Sequence, residues 1–327
     1  MSTVNRRHGI VKIGPEALRA LVHDEGARHQ PLPGAHSHKT PVKGQGQIAP
    51  GFKADKSLNM TFKGGKTIPA LSFKSVYIAG PSWPASDITA IDTALSGALA
   101  DPHLNNVILQ YYPGATSIST TFLGSTALPG AVPVTFSRDD VNPLLQSLIT
   151  DGALAGIDFD TTVICLFLPP GAILTTDAAG GVGKVEGDDD DKASSKEGLG
   201  GYHGSCHIGA QRVYFAIGVY SEMIDGQPNG IPVWPDSWKN IVATFYHELN
   251  EARTDPDVEE AIRTNNDALL GWYSDAQNGG EIGDIPMNEA GANLKSVMVE
   301  VTLANGQTAP IQLMWSNAVG GPEGPFA

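Results

Sequence analysis

The sequence predicts an α/β protein, a mixed sheet with packed helices behind a polar N-terminal arm. Three observations point there. From about residue 75 onward, apolar segments with strand spacing alternate with segments of helical spacing. One long amphipathic helix falls between Ser237 and Asp257. A chain of 327 residues that is 41% hydrophobic and 17% charged can also bury a sizeable core.

Taken in order, residues 1–74 read as the arm: a short helix over Glu16–Val22, then a polar stretch rich in Gly, Pro, Lys and His. Such a segment contributes little to a core, and it either lies over the domain or serves as a pro-segment covering a site. His36 and His38 within it read as solvated. Residues 75–327 form a single domain. It opens with a strand over Ser75–Ala79, then a helix over Ser86–Leu99 with Ser86 as N-cap, and a second strand over Val107–Tyr112. A helix over Val141–Leu154 and a buried strand over Thr162–Leu168 follow, with Cys165 in the apolar run as a free thiol.

From Thr176 to Gly201 the chain turns Gly-rich and acidic around Asp188–Lys192, a run of like charge that reads as a solvated loop. The five residues also match an enteropeptidase recognition site. Gly201–His207 reads as a loop, because Gly204-Ser205 between His203 and His207 argues against a helix. Within it His203 is expected near a substrate and His207 is given no role; a plain hydrogen bond from His203 to loop backbone weighs about equally. Val213–Tyr220 is a strong strand candidate, and a further helix is expected over Val258–Leu270. Strands over Val299–Leu303 and Ile311–Trp315 close the chain, joined by a turn at Asn305-Gly306.

The helix after Ser237 carries the chemistry. At about 100° per residue, Trp238, Ile241, Val242, Phe245, Leu249 and Ala252 share one apolar face, with His247 and Glu251 near the opposite one. An imidazole and a carboxylate one turn apart can converge on one cation, and Glu248 between them can hold a water against it. That is the layout of a zinc-hydrolase helix, HExxH, with the second His replaced by Glu. The competing reading is a solvated His/Glu pair, common on polar helix faces. A third carboxylate is available from Glu281 or Asp284, delivered by a turn at Gly279-Gly280, while Asp257 is less well placed after Pro256. The expected cofactor is one zinc ion.

Gly201-Tyr202-His203, His247-Glu248-Leu249-Asn250-Glu251, Asp255-Pro256, Trp272-Tyr273, Glu281-Ile282-Gly283-Asp284 and Trp315-Ser316-Asn317 occur in one order along the chain. In this the sequence, from about Val76 to its end, resembles the phosphate-induced (EXORDIUM-like) family of plant cell-wall proteins and their bacterial relatives. The resemblance implies a secreted-type α/β protein with a zincin-like helix. The family usually has a Cys after Glu-Ile-Gly-Asp and another before Gly-Tyr-His. Here those places hold Ile285-Pro286 and Leu199-Gly200, so the usual disulfide is not expected.

A net charge of −14 and a pI near 4.9 argue against nucleic acid or an anionic membrane as partner and suit cationic peptides or divalent metals. No membrane span is expected. The first residues lack the apolar region of a signal peptide, whereas the family resemblance implies secretion. Two functions compete on these grounds: a zinc-dependent hydrolase acting on a peptide or protein substrate, and a non-catalytic extracellular or surface interaction protein with a structural metal or a hydrogen-bonded pseudo-site.

Overall fold

The computed structural model describes residues 10–12, 16–19, 46–176, 193–276 and 280–326. The acidic Asp188–Lys192 run, His36, His38 and Gly279 lie outside them. At its centre is a six-stranded mixed sheet built from β1 (Ile10–Lys12), β2 (Ala70–Tyr77), β3 (Ser119–Ala127), β4 (Thr162–Phe167), β5 (Leu199–Ile208) and β6 (Gln211–Gly218). The strand order is β1-β5-β6-β4-β2-β3. The four strands from β6 to β3 run parallel, β5 is antiparallel to β6, and β1 is antiparallel to β5.

Helices cover both faces, as a parallel sheet requires. β4 is buried along its whole length and splits its side chains by strand alternation. Val163, Cys165 and Phe167 face one core together with α1 (Ala85–Ala100), α2 (Pro102–Ile108) and the long helix. Ile164 and Leu166 face the other, against Val141, Leu145 and Leu148 of α3 (Arg138–Thr150). Ser137 starts α3 with a capping box closed by Asp140.

The signature helix is α4 (Ser237–Thr254), and it lies between the sheet and an antiparallel hairpin, β7 (Met298–Thr302) with β8 (Thr308–Gln312). Every residue from Asn240 to Thr254 is buried. The expected contrast between a core face and a solvent face is therefore absent. Ile241, Phe245 and Leu249 join the main core as expected, while Trp238 is only half-buried at the helix start. The short helix α5 (Val258–Thr264) packs against β5, and α6 (Asp284–Ala290) begins at the acidic end of α4, where the Asp284 N–H donates to Glu251.

Several expectations are corrected. Val107–Tyr111 is helical rather than a strand, because Asp101 accepts N–H bonds from His103 and Leu104 and Pro102 opens the helix. The helix after residue 84 has Pro84, not Ser86, at its N-cap. Gly201–His207 is strand, not loop. The division at residue 74 does not separate an arm from the fold: β2 begins at Ala70, and Ala49, Leu58, Met60 and Ile68 belong to the main core. Thr61–Phe62 pairs with Trp272–Tyr273, and β1 pairs with β5, so described parts of the first 74 residues are stitched into the domain. Cys165 and Cys206 are both free thiols. Among the described residues no helix is long and apolar enough to cross a membrane.

Candidate metal centre

Two elements bring the central groups together. α4 contributes His247, Glu248 and Glu251, and β5 contributes His203, which stands opposite Ala216 of β6 and points, by strand alternation, to the α4 side of the sheet. Glycines make this approach possible. A Cβ at Gly201 would meet Ile217 O at 2.4 Å and Glu248 Oε1 at 3.2 Å, so the β5 backbone lies directly under the α4 carboxylates. The third element is the segment Glu281–Asp284 leading into α6, where a Cβ at Gly283 would sit 2.5 Å from His247 Nδ1.

His203, His247, Glu248, Glu251 and Glu281 are at most 2% exposed and Asp284 is 7% exposed, so the solvated-pair reading of α4 does not hold. Glu251 is the hub. Its Oε1 accepts the backbone N–H groups of Gly283 and Asp284, both at 3.1 Å, and lies 3.0 Å from His247 Nε2. Its Oε2 lies 3.5 Å from His203 Nδ1. Asp284 Oδ1 stands 3.6 Å from His247 Nε2, and Glu281 Oε1 stands 3.6 Å from His203 Nε2. Glu248 Oε2 is 3.3 Å from His203 Nδ1.

The hydrogen bonds behind the rings set their tautomers. Gln312 donates its amide to Gly283 O at 2.7 Å, which turns its Oε1 toward His247 Nδ1 at 2.6 Å. An amide oxygen only accepts, so Nδ1 carries the proton and Nε2 faces Glu251 and Asp284. His203 Nε2 lies 3.2 Å from the carbonyl of Asp255, again an acceptor only, which leaves Nδ1 facing Glu248 and Glu251. Outer hydrogen bonds of this kind orient imidazoles for a metal.

Electrostatics follow from burial. Desolvation pushes the carboxyls of Glu281 and Asp284 well above the ordinary range, and the Glu251 charge beside them pushes the same way. Glu251 moves down: burial is the largest influence and acts upward, but His247, His203 and the Asp284 N–H together outweigh it. Burial lowers His203 against the pull of Glu251. The shifts therefore favour the charged form at Glu251 and the protonated form at Glu281 and Asp284.

Two groups of three side chains are close enough to hold a metal ion: His247, Glu251 and Asp284, and His203, Glu251 and Glu281, with the ligand atoms of each group within 4.8 Å of one another. The choice between Glu281 and Asp284 as third ligand thus resolves into one for each histidine. Asp257 joins neither; it accepts from Ser205 at 3.1 Å and pairs with Arg212 at 2.9 Å. His207 is exposed near the end of β5. Sequence reasoning missed Gln312 and the carbonyl of Asp255. The one available signal for Gln312 is a lone polar residue inside the apolar run Pro310–Trp315.

Fold and cluster together define an α/β protein with a buried histidine–carboxylate centre that can hold a metal ion. Comparison with protein-family models, with curated protein sequences and with solved structures found no match.

Proposed function

We propose that the chain is a zinc-dependent hydrolase acting on peptide bonds, related to the phosphate-induced family that its motif order resembles. The observation that carries the reading is His247. Its Nδ1–H is committed to Gln312, its Nε2 faces Glu251 Oε1 and Asp284 Oδ1, and Glu248 follows it on the same helix. Imidazole and carboxylate donors without thiolate suit zinc. A zinc ion there would supply Lewis acidity and lower the pKa of a water.

Glu248 would take the proton of the attacking water and deliver it to the departing amine. In a centre with one ion, His203 Nδ1, which carries no proton and stands 3.3 Å from Glu248 Oε2, would accept a hydrogen bond from Glu248 once that carboxyl holds the water's proton. Carboxylate ligands add negative charge at the ion, so the water is acidified less than over neutral imidazoles and a slow enzyme is expected.

The near-complete burial of these groups favours a second reading, a non-catalytic surface or extracellular interaction protein with a structural ion. One experiment separates the two. Protein purified without chelator is analysed for zinc and assayed on a mixed peptide library, beside Glu248→Gln and His247→Ala. The hydrolase reading expects Glu248→Gln to keep zinc and lose cleavage at least 100-fold, within the range general-base catalysis contributes, and His247→Ala to lose both. Zinc without cleavage in the unmodified protein establishes the structural reading instead.

A further inference from the structure

The geometry points to a second metal position, held by His203, Glu251 and Glu281, with Glu251 bridging it to the ion on His247 and Asp284. We infer that the centre is binuclear. The inference rests on the proposed metal site and extends it.

Glu251 belongs to both groups of potential ligands, and it offers a different oxygen to each histidine: Oε1 at 3.0 Å from His247 and Oε2 at 3.5 Å from His203. The N–H groups of Gly283 and Asp284 pin Oε1, which fixes the carboxylate plane and aims Oε2 at His203. Several donors on the two sides have no hydrogen-bond partner although they are buried: His247 Nε2, Glu251 Oε2, both oxygens of Glu281 and Asp284 Oδ2. Burying this many polar atoms without partners is costly, and a cation at each group would satisfy them.

The tautomers sharpen the point. His247 spends its Nδ1–H on Gln312 Oε1 and turns Nε2 toward Glu251 and Asp284, and His203 spends its Nε2–H on Asp255 O and turns Nδ1 toward Glu251 and Glu248, with Glu281 Oε1 3.6 Å from its Nε2. A lone pair facing carboxylates is repulsive, and a divalent cation between them makes it a ligand. The spacings agree. Donors about 2.1 Å from a tetrahedral zinc lie about 3.4 Å from one another. The donor separations here are 3.0 and 3.6 Å on the His247 side and 3.5 Å from His203 Nδ1 to Glu251 on the other.

Charge balance also favours two ions. Glu248, Glu251, Glu281 and Asp284 carry four negative charges when ionised, which one divalent ion leaves half-compensated and two ions neutralise. Two ions that share a carboxylate typically lie about 3.5–4 Å apart.

The test loads the full-length metal-free protein with Mn2+, counts bound ions by equilibrium dialysis with elemental analysis, and records electron paramagnetic resonance spectra. Two ions per chain with an exchange-coupled spectrum are expected. His203→Ala should bind one ion and lose the coupling, and Glu281→Gln should weaken the second equivalent at least tenfold while leaving the first. A single ion in the unmodified protein, or two uncoupled ions, overturns the inference even if His203→Ala fails to fold. One ion that is lost in His247→Ala but kept in His203→Ala leaves the mononuclear hydrolase reading standing. Two coupled ions without peptide cleavage leave the binuclear centre standing and remove the hydrolase.

Discussion

Two acidic clusters sit side by side at the C-terminal end of α4, and the chain treats them in opposite ways. In one, Asp257 meets Arg212 at 2.9 Å and Ser205 at 3.1 Å, Glu260 meets the same guanidinium at 3.0 Å, and Glu259 pairs with Arg138. In the other, no lysine or arginine among the described residues pairs with Glu251, Glu281 or Asp284, and two imidazoles are the basic groups in reach. β5 serves both clusters from one face, with His203 toward the second and Ser205 toward the first. With Arg263 3.9 Å from Glu260, three guanidinium groups face the three carboxylates of the first cluster. The second buries several carboxylates with no guanidinium or ammonium partner, an arrangement that selection for stability alone would not build.

The largest expected effect breaks the comparison directly. Chelating zinc from protein purified in excess of the ion should lower its unfolding free energy by about 4 kcal/mol for each ion bound when free zinc had stood near a thousand times its dissociation constant. Urea titrations with and without chelator measure it. An unchanged midpoint would mean that the second cluster is as self-sufficient as the first.

How much of this was legible in the sequence differs between the clusters too. The His247–Glu251 spacing and the carboxylates at Glu281 and Asp284 were readable because ligand geometry on a helix is local. The apolar stripe of α4 was equally readable, but not the burial of its polar face, because β8 and the Glu281–Asp284 segment arrive from residues far along the chain. His203 was found and misplaced. The glycines at 201 and 204 read as loop formers, whereas their role is to let β5 pass under Glu248 and Glu259, where a Cβ at Gly204 would fall 2.1 Å from Glu259 Oε2. The helix at Pro102 was missed although Asp101-Pro102 is a recognisable start, because the β-branched and aromatic content of Val107–Tyr112 outweighed it. Gln312 was out of reach: its partnership with His247 spans 65 residues and depends on the register of a hairpin against α4.

The next effect tests the self-sufficient cluster. Arg212→Met removes the guanidinium and leaves Asp257, only 2% exposed, without its charge partner. Breaking a buried pair on one side costs about 3 kcal/mol. Thermal or urea unfolding of the variant measures the loss. Added zinc should not restore it, and the response to chelator should match the unmodified protein, since separate sites add independently. Rescue by zinc would show the two clusters to be one.

The smallest effect comes from a third kind of buried acid, one with neither arginine nor imidazole. Glu323 is 2% exposed, and its oxygens lack a basic partner among the described residues. Burial is the main influence on it and pushes it up from 4.5 to about 7. Because the folded value lies above the unfolded one, the fold favours the protonated form. The contribution is fully present below about 4.5 and is lost as the pH rises through about 7. The full difference corresponds to about 3 kcal/mol, and relaxation of the surroundings around the ionised carboxylate reduces the expected effect to about 2 kcal/mol. Glu323→Gln keeps the shape and removes the charge, so it should be more stable than the unmodified protein by that amount at pH 8 and nearly equal to it at pH 4.5. Unfolding curves at the two pH values decide it. A gap of the same size at both would mean that the side chain matters through packing. A gap confined to the higher pH shows what a buried carboxylate costs this fold when no cation answers it, the cost that Arg212 reduces at Asp257 and that a metal ion would reduce at Glu281 and Asp284.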